Sequence, residues 1–135
     1  MKYENKILIG GAALVKLGSS RSTSDVDYLI FDENSFEHFF FDKENNIDYM
    51  NGNASNFAEE IYKKEKGNKV ATPQSLFELK AFAFLSHLRN FNQNKMNDCC
   101  FDLKFLNINF GINSLPTLEK YITPEEKTEI LNIIK

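Results

Sequence analysis

The chain has 135 residues, enough for one compact domain that buries a core without disulfides or metals. Hydrophobic residues make up 42% and aromatic residues 13%, with 13 Phe and no Trp, which excludes a disordered chain and implies a core filled with rings. A formal charge of −3 argues against a broad, sequence-indifferent nucleic-acid surface, because that grip comes from summed Lys and Arg contacts. A strand is expected over residues 6–9, stopped by the pair Gly10-Gly11, and then a short helix over 12–17 closed by Gly18. A polar loop over 19–24 leads into an alternating strand over 25–31. The Asp-Glu-Asn-Ser run at 32–35 is expected to start a Phe-rich helix. Asn45-Asn46 introduces a strand over 47–50, and Asn51-Gly52 turns the chain into a helix over 54–64. Val70-Ala71 adds an edge strand. Thr72-Pro73 then opens a helix reaching about Arg89, apolar nearly all round and therefore buried. A polar link over 90–94 precedes a helix over 95–107, and Thr123-Pro124-Glu125-Glu126 is a capping box for the last helix.

These elements make an α+β domain: a small mixed β-sheet core over 1–71, with helices on one face, and a C-terminal helical part over 72–135. Cys99 and Cys100 are adjacent, without metal-ligand spacing, and read as two small buried apolar residues. The apolar run at 7–14 holds two glycines and is too short to span a bilayer, so no membrane association and a cytoplasmic location are expected.

Chemistry concentrates between Gly10 and Asp27. Residues two apart on a strand share a face, so Asp25 and Asp27 point the same way while Val26 and Tyr28 point into the core. Two such carboxylates repel each other and remain ionised when a cation lies between them. Oxygen ligands on a rigid strand suit Mg²⁺, which takes its remaining contacts from water and substrate phosphates. Glycines just ahead of a helix let backbone N–H groups approach those phosphates. By itself Asp-x-Asp is usually a turn or surface pair; the strand, glycine pair, short helix and Arg-x-Thr loop ahead of it make it specific.

Lys80 falls inside the apolar arc of its helix, beside Leu76, Ala83 and Phe84, and needs an anionic partner. That partner is either a carboxylate such as Asp98 or Asp102, or the triphosphate of a nucleotide. Lys95, Asp98 and Asp102 form one charged stripe, read either as a solvated face or ion pair or as part of a substrate pocket. His38 and His87 are given no catalytic part. The lysine-rich run over 63–69 is a soluble helix end or a landing strip for RNA phosphate.

Gly-Gly-Ala-Ala-Leu over 10–14, followed by Leu-Gly-Ser-Ser-Arg-Ser-Thr-Ser-Asp-Val-Asp over 17–27, resembles the DNA polymerase β-type nucleotidyltransferase superfamily. The likeness is to its minimal, toxin-like members from toxin–antitoxin and abortive-infection systems, and it covers roughly residues 6–110. It extends to Leu-Phe-Glu-Leu-Lys over 76–80 and to Arg89, Lys95, Asp98 and Asp102. The resemblance implies two Mg²⁺ ions held by Asp25, Asp27 and a third carboxylate. The third position matches Asp48, with Asp42 and Glu44 nearby in sequence. It further implies an NTP whose phosphates are held by Gly10, Gly11, Ser19, Arg21, Thr23 and Lys80. The implied reaction transfers a nucleoside monophosphate to an acceptor hydroxyl: the 3′ end of a tRNA, a protein hydroxyl or a small antibiotic. An antitoxin-like protein partner is implied as well, and a non-catalytic nucleotide-binding relative is the competing class. Gly-Gly replaces the more usual Gly-Ser, and the segment after Gly111 matches nothing in the family.

Overall fold

The computed structural model describes residues 3–23 and 25–135, so Ser24 of the expected loop lies outside the described residues. The chain is α+β and divides into two compact units, Met1–Thr72 and Pro73–Lys135.

The first unit runs β1 (Ile7–Ile9), α1 (Gly10–Lys16), β2 (Val26–Ile30), β3 (Phe39–Asp42), β4 (Ile47–Asn51) and α2 (Asn56–Glu65). Among the described residues its strands form one four-stranded mixed sheet in the order β1-β2-β4-β3. β1 lies antiparallel to β2, β2 parallel to β4, and β4 antiparallel to β3. α1 begins at the glycine pair itself, two residues earlier than expected. It closes where Gly18, at φ +102, donates to the Val15 carbonyl at 3.0 Å. Ser55 caps α2 by accepting from the Ala58 N–H at 3.1 Å. The expected edge strand at Val70-Ala71 is reduced to a single parallel bridge from Val70 to Leu8. The Leu8 N–H donates to the Lys69 carbonyl (2.8 Å) and its carbonyl accepts from Ala71 N–H (3.0 Å). Buried Glu65 ties this return, accepting from Thr72 N (2.8 Å) and Thr72 Oγ1 (2.7 Å).

Two expectations fail here. The Phe-rich segment is not a helix: Asp32 and Ser35 cap local turns, to Asn34 N (3.0 Å) and Glu37 N (3.1 Å), and residues 39–42 form β3. The buried Asn51 amide staples the loop ahead of it, accepting from Asp32 N and Asn53 N and donating to the carbonyls of Ser35 and Glu37, all at 3.0–3.1 Å. Asn46, at φ 55, and the Asp42 carboxylate, which accepts from Asn45 N at 3.2 Å, complete the β3–β4 hairpin. Nor do Val26 and Tyr28 enter the core; both are half-buried. Tyr28 stacks on Tyr49 at 6.3 Å and carries the Lys6 ammonium 4.5 Å above its ring. The core takes Leu29 and Ile30 instead, at the other end of the strand.

The second unit runs α3 (Pro73–Arg89), α4 (Gln93–Phe110), a 3₁₀ turn (Leu118–Tyr121) and α5 (Pro124–Ile133). α3 packs mainly on α4, and Leu103, Leu106, Leu115, Leu118 and Ile130 are fully buried. Asn92 caps α4 by accepting from Lys95 N (3.3 Å), and Gly111 at φ 67 ends it, so it runs longer than expected at both ends. α5 opens with both bonds of the expected capping box, between Thr123 and Glu126. The segment after Gly111 is anchored by Glu78, a fully buried carboxylate on α3. Its Oε1 accepts from Thr117 N and Leu118 N, each at 2.8 Å.

Glu78→Ala strands those two buried N–H groups and should lower stability by about 3 kcal/mol. Glu78→Gln keeps an oxygen acceptor and should lose less. Urea denaturation followed by circular dichroism checks both the size and the order.

Candidate active site

Strand register assembles the acidic residues. Asp27 on β2 is the direct partner of Ile9 on β1 and of Asp48 on β4. Side chains at directly opposed positions lie on one face, with neighbouring strands about 4.8 Å apart, so the two carboxylates project side by side. The next position in the same row is Phe41 on β3, 57% exposed. Asp42 pairs with Ile47 and therefore lies on the opposite face, its carboxylate bound to the Asn45 side chain at 2.9 Å. Glu44 is exposed in the hairpin turn. Of the three carboxylates considered for this position, Asp48 is the one set beside Asp27.

Asp25 precedes β2 by one residue and its Oδ1 accepts from Asn46 Nδ2 at 3.1 Å. In the sequence Asn46 reads only as part of the pair that introduces a strand; nothing marks it as a donor to an acid twenty-one positions earlier. Among the described residues no group of three His, Cys, Asp or Glu side chains stands assembled as a metal cage. The adjoining pair Asp27–Asp48 offers hard oxygen donors of the kind Mg²⁺ takes. Like charges placed directly opposite on neighbouring strands are unfavourable until a cation joins them.

The glycine pair is shaped by what lies against it. Gly10 has φ +70, and a Cβ there would run into the Asp27 carboxylate. A Cβ on Gly11 would strike the Arg21 guanidinium and come within 3.0 Å of Thr23 Oγ1. Gly10 is required by its backbone and crowded by Asp27, while at Gly11 the Arg21 side chain can swing aside and Thr23 sets the tighter limit. The Ser19–Thr23 loop is held over them by short-range bonds. Buried Ser19 accepts from Arg21 N through Oγ (3.2 Å), its own N–H donates to the Leu14 carbonyl (3.0 Å), and Thr23 Oγ1 donates to the Asp25 carbonyl (3.1 Å). Gly10, Gly11, Arg21, Thr23, Asp27 and Asp48 thus gather at one end of the sheet.

Lys80 belongs to the second unit, where its ammonium lies 3.0 Å from the fully buried Asp102 carboxylate. Of the two partners weighed for it, the carboxylate is the one seen. The charged stripe on α4 splits accordingly: Asp102 is internal, while Lys95 and Asp98 are exposed. Burial, with Lys95 and Lys80 nearby, holds the His87 imidazole below its ordinary value near 6.5. Cys99 and Cys100 are thiols rather than disulfide sulfurs, and burial pushes Cys100 up, away from reactivity. No helix among the described residues is long and apolar enough to cross a membrane.

The chain matches no protein-family model, no curated protein and no solved structure.

Gly10→Ala should destabilise the fold by about 1–2 kcal/mol and displace the Asp27 side chain. Thermal unfolding measures the first effect, and the Asp27 side-chain resonances report the second. The lowered His87 pKa has a definite sign: as pH falls below about 6.5 the unfolded chain takes the proton first, so stability declines until the folded value is reached. His87→Gln should flatten the stability profile as pH falls below about 6.5 in urea titrations.

Proposed function

We propose that the chain is a magnesium-dependent nucleotidyltransferase that moves a nucleoside monophosphate from an NTP to an acceptor hydroxyl and releases pyrophosphate. The observation that carries this reading is the pairing of Asp27 with Asp48, the first of them pressed against Gly10. Asp27 and Asp48 would hold the metal, and Asp25 would join them by giving up its bond to Asn46. Two ions, one on Asp25 and Asp27 and one shared with Asp48, are what the family resemblance implies. Bound Mg²⁺ supplies neutralisation of the triphosphate and leaving pyrophosphate and lowers the pKa of the acceptor hydroxyl.

The remaining work falls to the chain. Arg21, Thr23 and the Gly10-Gly11 backbone bind the β- and γ-phosphates, with Ser19 positioning Arg21. Asp48 receives the proton of the acceptor hydroxyl as its oxygen bonds to the α-phosphorus. The bond from that phosphorus to the α–β bridging oxygen breaks, and its electron pair leaves with pyrophosphate. Such chemistry needs mainly positioning and charge neutralisation, within reach of a small scaffold. Lys80, already neutralised by Asp102, is given no step in it.

Incubation with each labelled NTP, Mg²⁺ and total cell RNA and protein should transfer label to one acceptor class, with the tRNA 3′ end tested first. Asp27→Asn and Asp48→Asn should each cut transfer about a hundredfold or more while leaving the circular dichroism spectrum unchanged. Near wild-type transfer by either variant would remove the carboxylate pair from the chemistry. Thermal stabilisation by Mg²⁺ and a non-hydrolysable NTP without any turnover would leave a nucleotide-binding protein instead.

A further inference from the structure

Among the described residues β3 is the terminal strand of the sheet. The Asn51 N–H donates to the His38 carbonyl at 2.8 Å, so 38, 40 and 42 are the positions that bond to β4. The backbone groups of Phe39 and Phe41 consequently point to the outer edge. Their side chains are 62% and 57% exposed, and Phe36 nearby is 78% exposed. Exposed, apolar and unbroken by proline, this is the kind of edge that pairs with another strand.

The segment is also complementary to itself. It reads Glu37-His38-Phe39-Phe40-Phe41-Asp42-Lys43. Laid antiparallel on its own copy about Phe40, it sets Phe39 against Phe41, His38 against Asp42 and Glu37 against Lys43. Every ring then meets a ring within β3, and just beyond its ends Glu37 meets the opposite charge of Lys43. The outward-facing backbone groups of 39 and 41 also meet each other, as an antiparallel ladder requires. A register shifted by one residue keeps rings against rings but loses the Glu37–Lys43 and His38–Asp42 matches.

We infer that β3 pairs with β3 of a second copy of this chain, joining two sheets across a two-fold axis at Phe40. An axis normal to the sheet keeps both Asp27–Asp48 pairs on one face. It also places the partner's Phe39 beside Phe41, so each acidic row ends in an aromatic wall drawn from both copies. The pairing stands independently of the transferase reading, since it uses none of Asp25, Asp27 and Asp48.

Light scattering on the full chain should give twice the mass of one chain at micromolar concentration. Glu37→Lys or Lys43→Glu alone puts like charges opposite each other and should weaken the dimer about tenfold, whereas the double exchange should restore it. Phe40→Cys should cross-link under mild oxidation, because a non-hydrogen-bonded antiparallel pair brings Cα atoms to about 4.5 Å, within disulfide reach. The wild type, with Cys99 and Cys100 retained, is the control and should not cross-link. A monomeric wild type, or a Phe40→Cys protein that fails to cross-link, overturns the pairing and leaves the edge to a different occupant. Indifference to single charge reversal overturns the register.

Discussion

The absent side chain at Gly10 is the constraint on which the candidate site rests. Because no Cβ stands there, the Asp27 carboxylate can lie against the turn between β1 and α1. Because Gly11 is bare as well, Arg21 and Thr23 close over the same turn. An alanine at Gly10 would displace the Asp27 carboxylate and one at Gly11 the Arg21 guanidinium, even with every strand intact. Hydrophobic burial sets the sheet, but two missing methyl groups set the spacing of the charged groups at its end.

The second requirement is the parallel register of β2 and β4. A parallel neighbour needs a crossover, and here the crossover is the loop from Asp32 to His38 followed by β3 and a tight hairpin. Asn51 fixes it. Its buried amide has both donors and its acceptor engaged by the loop backbone, so the polar interior of that connection is satisfied. A slip of one residue would turn Asp48 to the opposite face and replace it with Ile47 or Tyr49. The residue that decides whether the two acids meet is thus an asparagine at the far end of β4.

Ionisable groups inside the second unit serve architecture. Glu78 binds two backbone amides at the start of the 3₁₀ turn, and Asp102 holds Lys80. Buried charge adds little net stability once desolvation is counted, but an unpartnered charge is prohibitive, so such contacts select one arrangement of the helices and tail over others. The two sheet edges differ in kind: β1 is covered by the return through Val70, while β3 presents bare backbone flanked by phenylalanine.

Local signals in the chain determined its α+β character, the glycine-broken first strand, the strand bearing Asp27 and the capping box at Thr123. Each depends on residues within a few positions of one another. Glu78 as the anchor of the tail, Asn46 as the donor to Asp25, and Asp102 rather than Asp98 as the partner of Lys80 are contacts that no spacing encodes, so only the tertiary structure decided them. The phenylalanines at 39–41 show the limit best. Composition and the acidic run at 32–35 suggested a helix, yet short polar side chains bonding to their own backbone, and a waiting partner in β4, made them a strand. Local preference is worth tenths of a kcal/mol per residue, and a ladder of long-range pairs outweighs it.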